Sequence, residues 1–385
     1  MHRFESDCRL HFIQSQSLAA LLIFVALYPF QVLQPAPAGA CSLFSFSSGD
    51  EVILARNLDW HREFPGEIVV NGRGIRKRVL PWKGNWPDSS VWKEQIWISR
   101  YGSVSFTCYG RDFIESGMNE AGLAVSEACL GAQYPPADDR PGISCAQWLQ
   151  YQLDNYATVE EVLKNLNELK PDGEGWHYLL ADREGGCAVI EYLEGEVKVF
   201  TGSEMPVSAL TNTGYRNAID QMTLDIRFGG SLDIGSGNDS YGRFFRIADY
   251  IRGYSSGEGN LESGFSFEVL DDVGSSETRR SIVYLLSSSQ VLWRTGRNRA
   301  IRRLDLSHLD FSTDTPVRVL DIEKGRGELS SLLAEYTLSG NSELVRKVFS
   351  GPLLSPGRER ILKKRGFSLD EVVNLIASHP QSALR

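Results

Sequence analysis

Cys41 follows Ala38-Gly39-Ala40 in a chain of 385 residues, so one cut after Ala40 would make it a chain terminus. A terminal cysteine carries a thiol and a free α-amine on the same residue. Unperturbed, the amine titrates at about 7.7–8.0 and the thiol at about 8.5. A nucleophile and its proton acceptor then sit together without help from a third residue. Such a cut would switch on acyl-transfer chemistry.

The preceding residues read as an export signal. Arg3 and Arg9 supply a positive start, diluted by Glu5 and Asp7. Residues 17–33 are apolar but broken by Pro29, and 38–40 form a small-x-small cleavage triplet. The apolar run is too short and interrupted for a stable membrane span. We therefore expect residues 1–40 to be removed and the product to be periplasmic or secreted. A lipoprotein reading competes, because Ala-Gly-Ala-Cys loosely resembles a lipobox with Ala38 where Leu is usual. Acylation of Cys41 would destroy the nucleophile and leave a lipid-anchored binding protein, so the two readings exclude each other.

Removal of 1–40 leaves 345 residues, enough for one large or two ordinary domains. A hydrophobic content of 42% describes a globular core. A net charge of −9 argues against nucleic acid or anionic lipid as a partner. Histidines at 2, 11, 61, 177, 308 and 379 show no ligand spacing, so neither a metal nor another cofactor is expected. His61 beside Trp60 reads as structural, since the α-amine already fills the role of base. Cysteines 108, 129, 145 and 187 form no C-x-x-C pair and read mostly as buried thiols. The letters G-x-S-x-G at 253–257 run into a loop-like stretch, where a hydrolase elbow needs a helix.

Elements must then bring residues to Cys41. Residues 42–48 alternate in polarity, Gly49-Asp50 turns, and 51–55 return, which predicts a hairpin. Its return brings Arg56 to Asp59 back beside Cys41. Residues 62–100 read as irregular and Trp-rich, and Trp60, Trp82 and Trp86 are candidate lining for an apolar acyl pocket, although tryptophans are more often core anchors. Strands are expected at 103–108, 123–128, 187–192 and 196–200, with shorter ones near 207–211, 279–285 and 298–306. Helices are expected at 144–156 and after the capping box Thr158–Glu161. Residues 323–385 read as a helical extension of short helices from Leu329 onward, with Pro356 at one helix start and a capping box at Ser368–Glu371. Arg358, Arg360, Lys363, Lys364 and Arg365 make it locally basic, either as a solvated face or as a docking face.

Five segments then occur in a telling order: Ala40-Cys41-Ser42, Ala55 to Trp60, Gly117 to Leu123, Leu210-Thr211-Asn212 and Gly242 to Arg246. The chain from Cys41 to about Phe311 resembles the choloylglycine hydrolases, the penicillin V acylases and bile salt hydrolases. The stretches 101–148 and 153–158 look most like exported Gram-negative penicillin V acylases. The resemblance implies an α+β fold, the four-layer αββα sandwich of N-terminal-nucleophile hydrolases, over residues 41–322. It implies a cofactor-free hydrolase of linear amides, acting on a small-molecule N-acyl substrate, and the family often forms homotetramers. Cys41 would be the nucleophile. Arg56 resembles the arginine that favours thiolate, and Asp59 the aspartate that holds the α-amine. Asn212 is similar to the asparagine donating into the oxyanion hole, and Arg243 to the arginine paired with the aspartate. Cys129 falls where the family has Asn, Tyr or Trp and donates a backbone N–H to the oxyanion, so the acyl pocket would differ. Thr213-Gly214 follows Asn212 where a proline is common, which would loosen that loop.

Taken singly, these residues have plainer readings. Arg56 and Asp59 could be a surface ion pair, Asn119-Glu120 an ordinary turn, and Asn212 a turn residue. Arg243 could cap a helix or stack on Phe244. Another N-terminal-nucleophile amidase, a peptidase or ceramidase-like enzyme, would use the same set.

Overall fold

The hairpin expected from alternation forms β1 (Ser42–Ser48) and β2 (Glu51–Asp59), turned at Gly49 with φ 55°. Ser42 pairs with Asn57 and Leu43 with Arg56, which carries Cys41 into the sheet beside Leu58 and Asp59. The expected return of residues 56–59 to Cys41 is therefore a matter of register. This computed structural model describes residues 40–80, 82, 83, 86, 87, 95–130, 140–173, 175–193, 195–235, 237–255, 263–351, 360, 362–364 and 366–382. Residues 1–39, Trp92, Pro356, Arg358 and Arg365 lie outside the described residues, and only the backbones of Trp82 and Trp86 are described.

The hairpin sits in a seven-stranded sheet, with Ala209–Leu210 on the edge of β1 and Thr278–Leu285 against β2. Gln290–Thr295, Arg302–Asp305 and Gly327–Glu328 continue it outward. A nine-stranded sheet faces it. Its order runs Glu196–Thr201, Cys187–Leu193, Trp176–Asp182, Leu123–Cys129, Phe113–Asn119, Ser103–Gly110, Glu67–Asn71, Arg318–Asp321 and Ala334–Glu335. Leu43 and Leu54 of the first sheet join Phe106 and Leu179 of the second in one buried cluster. Phe244, Phe245 and Leu270 close the outer face of the first sheet from helices α4 (Ser240–Ser255) and α5 (Ser263–Asp272). On the outer face of the second sheet, Trp148 and Leu149 of α1 (Cys145–Asn155) share a cluster with Val345 of α6 (Leu338–Ser350) and Val373 of α7 (Leu369–Ser382). Helix, sheet, sheet, helix is the resulting order of layers.

Local signals hold where capping decides. Thr158 accepts the amide of Glu161 to open α2 (Val159–Lys164), and Ser368 and Glu371 cap each other at the start of α7. Asn119 is structural: it accepts from Leu123 N–H and donates to the carbonyls of Leu153 and Tyr156.

Two expectations need correction. Residues 62–100 are not irregular throughout, since Ile68, Val69 and Val70 build a strand inside the nine-stranded sheet. Residues 323–337 hold no short α-helix: Gly327–Glu328 and Ala334–Glu335 extend the two sheets, and the first helix begins at Leu338. Leu329 is buried there as a strand-to-turn anchor rather than on a helical stripe. Gly253 and Ser255 lie in the last turn of α4, so no helix starts after a strand there, and the stretch read as loop-like at 258–260 lies outside the described residues.

Candidate active site

Cys41 is 3% exposed and still joined to Ala40, so its nitrogen is a peptide nitrogen rather than an amine. Burial pushes its thiol up to about 12, Glu127 and Asp59 add to this, and Arg56 acts against them. With Ala40 attached, the thiol is held protonated. Around it lie the side chains picked out by sequence, from four separate parts of the chain.

Arg56 is fully buried and reaches from the first sheet to the second. Its Nη1 donates to the Glu115 carbonyl at 2.7 Å and its Nη2 meets Glu127 Oε1 at 3.1 Å. Burial works against the guanidinium charge, but Glu115 and Glu127 outweigh it and raise its pKa. The surface-pair reading of Arg56 and Asp59 therefore fails, because both are buried and Arg56 pairs with Glu127 instead.

Asp59 ends β2 with 0% exposure, and neither carboxylate oxygen has a hydrogen-bond partner. Burial raises it to about 6, opposed by Thr278, Arg243 and Arg56. The Thr278 hydroxyl is close enough to lower the pKa but falls short of regular hydrogen-bond geometry. Arg243 acts on Asp59 through space and not by contact, which corrects the expected ion pair. Its Nη1 donates instead to the carbonyls of Ala40 and Cys41 and to Ser42 Oγ, clamping the backbone on both sides of the Ala40–Cys41 bond.

Asn212 is fixed at both ends of its amide. Arg243 Nη2 donates to Oδ1 at 3.1 Å, and Nδ2 donates to the Cys129 carbonyl at 2.8 Å. That pairing sets the amide orientation and joins Cys129, Asn212 and Arg243 into one wall. One Nδ2 hydrogen remains for a further acceptor. Arg243 sits in the first turn of α4, whose start needs Gly242: a Cβ there would lie 2.0 Å from the Gly237 carbonyl.

Trp60 is half-buried with its ring 5.8 Å from that of Phe64, and its indole Nε1 is buried without a partner. Trp97, from the same Trp-rich region, is instead a core anchor donating to Asp154 at 2.8 Å. His61 is exposed beside Trp60. Arg360, Lys363 and Lys364 are exposed.

Sequence reasoning missed Glu127. It is buried against Arg56, and burial raises its carboxyl to about 7 while Arg56 opposes and Glu115 adds to the rise. The one available signal was a carboxylate interrupting the apolar strand Leu123–Cys129, since buried acids are rare unless paired. Glu115 was missed too; it pairs with Arg280 at 2.9 Å and carries the charge ladder away from Cys41.

Residues 41–221 match the family model for linear amide C–N hydrolases of the choloylglycine hydrolase family. A penicillin V acylase from Pectobacterium atrosepticum is 30% identical; the match covers 62% of this chain and spans 65% of that acylase's length. The structure of penicillin V acylase from Agrobacterium tumefaciens superposes with a TM-score of 0.67 at 26% identity, over 77% of this chain and 98% of that one. Conjugated bile acid hydrolase from Clostridium perfringens shares the fold, with a TM-score of 0.59 at 16% identity over 75% of this chain and 98% of that one. The layer order is accordingly the αββα sandwich of N-terminal-nucleophile hydrolases. Residues 41–221 and the fold around them are thus similar to the choloylglycine hydrolase family of linear amide C–N hydrolases.

Proposed function

We propose that this protein is an exported amidase that uses Cys41 as an N-terminal nucleophile once residues 1–40 are removed. The observation that carries the reading is the convergence of Arg56, Asp59, Asn212 and Arg243 on Cys41. Cleavage would place an ammonium-forming amine beside a buried carboxylate that otherwise lacks a partner. The Cys41 sulfur then attacks the amide carbonyl, forming a C–S bond while its proton passes to the α-amine. Asn212 Nδ2 and the Cys129 backbone N–H stabilise the oxyanion. The C–N bond breaks as the α-amine returns the proton to the leaving amine. Water then hydrolyses the thioester and restores the thiol.

The substrate class is a small N-acyl amide with an apolar acyl side, for which the half-buried Trp60 is the candidate lining among the described side chains. Penicillin V and N-acyl homoserine lactones stand ahead of glycine- or taurine-conjugated bile acids. Relatives named as penicillin V acylases at 26–30% identity support that order, whereas the bile acid hydrolase likeness is one of fold. The product is periplasmic or secreted. Incubating the exported protein with all three substrate classes tests the reading. Amine release from at least one class is expected; release from none, with a processed N-terminus, would remove the substrate class. Blocking of Cys41 by a diacylglyceryl group would instead favour the lipoprotein.

A further inference from the structure

We infer that His177 and Glu191 form a buried clamp that positions the turn presenting Asn212; the inference rests on the oxyanion role proposed for Asn212. Both residues stand on neighbouring strands of the nine-stranded sheet, directly paired in register, and are 0% and 1% exposed. His177 Nε2 lies 2.6 Å from the Thr211 carbonyl, and its Nδ1 lies 3.0 Å from Glu191 Oε1. The same Glu191 oxygen accepts the backbone N–H of Tyr215 at 2.7 Å. Tyr215 is the first residue of α3 (Tyr215–Met222). One carboxylate–imidazole unit therefore grips residue 211 before Asn212 and residue 215 after it.

Donor counting makes the unit indivisible. A carbonyl only accepts, so Nε2 carries a hydrogen. Nδ1 then faces a carboxylate oxygen, which requires a second proton shared between ring and carboxyl. Whichever group carries it, each satisfies the other, and removing either strands a buried polar partner.

The turn needs such a clamp. A Cβ at Gly214 would meet nothing closer than 3.8 Å, so no steric wall confines the backbone there. Thr211 and Thr213 hydroxyls reach Ser240 at 2.9 and 2.6 Å, which ties the turn sideways to the start of α4 but leaves its carbonyl side to His177. The Thr211 carbonyl belongs to the peptide unit that ends on Asn212 N. Any tilt of that plane moves the Asn212 amide off the Cys129–Arg243 wall. His177 touches no reacting atom in this scheme; it is a positioning residue.

The test uses the mature enzyme with His177→Ala, His177→Gln, Glu191→Gln and Asn212→Ala, each normalised to titratable Cys41 thiol. His177→Ala should lower kcat per thiol by about 10²-fold, the scale of one lost oxyanion donor, with KM changed by less than about threefold. Glutamine places an N–H near the Nε2 position, so His177→Gln should recover about tenfold of that loss. Glu191→Gln should lower kcat in the same sense, and it carries the test if His177→Ala fails to fold. A merely structural role would lower melting temperature and thiol titre while leaving kcat per thiol unchanged. Unchanged kcat per thiol in the folded variants, or no recovery with glutamine, overturns the clamp. If Asn212→Ala also leaves kcat intact, the oxyanion reading falls with it; if Asn212→Ala alone is slow, only the positioning role falls.

Discussion

Arg56 Nη2 and Glu127 Oε1 lie 3.1 Å apart, 71 residues apart in sequence, with side chains 0% and 5% exposed. The cation that holds the Cys41 thiol down is thus already compensated. Glu127 raises the Cys41 thiol and Arg56 lowers it. Replacing Glu127 with Gln removes the opposing negative charge and leaves the guanidinium acting alone with Asp59 and Arg243. The pH dependence of Cys41 alkylation should therefore move to lower pH in Glu127→Gln, with a Cys41→Ala background subtracting the other thiols. A limb that stays put or moves upward contradicts this coupling.

Asp59 predicts opposite effects before and after cleavage. In the uncut chain its folded pKa is raised from 3.8 to about 6 by burial, so ionisation costs stability. That cost is absent below about pH 4, where both states are protonated, and complete above about pH 6. Asp59→Asn in a non-cleavable chain should therefore raise stability by about 1–3 kcal/mol at pH 8 and by little at pH 4. In a chain that begins at Cys41, as proposed, the same change removes the acceptor for the α-ammonium and should lower kcat/KM. Thermal melts at both pH values and turnover of the mature form check the two halves.

Asn212→Ala should lower kcat by roughly 10²–10³ with a small change in KM if, as proposed, the donor acts on the oxyanion rather than on ground-state substrate. Steady-state kinetics on the preferred amide decide it. A rise in KM at constant kcat would move Asn212 to substrate binding.

Gly242→Ala should impair activity more than stability. The new Cβ would sit 2.0 Å from the Gly237 carbonyl, a backbone atom with little room to yield, at the first turn that aims Arg243. At least about tenfold loss of kcat/KM with a melting temperature changed by only a few degrees is expected. Full activity would show that Arg243 tolerates displacement.

The hairpin that places Arg56 and Asp59 beside Cys41 was legible because its alternation and turn residues are local. The capping boxes at Thr158 and Ser368 were legible for the same reason. Asn212 and Arg243 became visible only through family resemblance, since the 170 residues between Asn212 and Cys41 leave no periodic trace in sequence. Glu127 and His177 stayed hidden because each reads as a single polar residue in a strand, and its meaning depends on a partner strand. The strand Glu67–Asn71 was masked by its Gly- and Trp-rich surroundings, although its Ile68-Val69-Val70 core is strongly β-forming. Arg243 does lie against Cys41, but its partners are carbonyls and Asn212 rather than Asp59. A guanidinium has five donors, and residue type alone does not say which acceptors take them.

Mass spectrometry of the N-terminal peptide of the exported protein tests the central claim most directly. The account predicts a chain that begins at Cys41 with an unmodified α-amine. A chain that begins elsewhere, or a Cys41 that carries a lipid or acyl group on its sulfur or nitrogen, would contradict it.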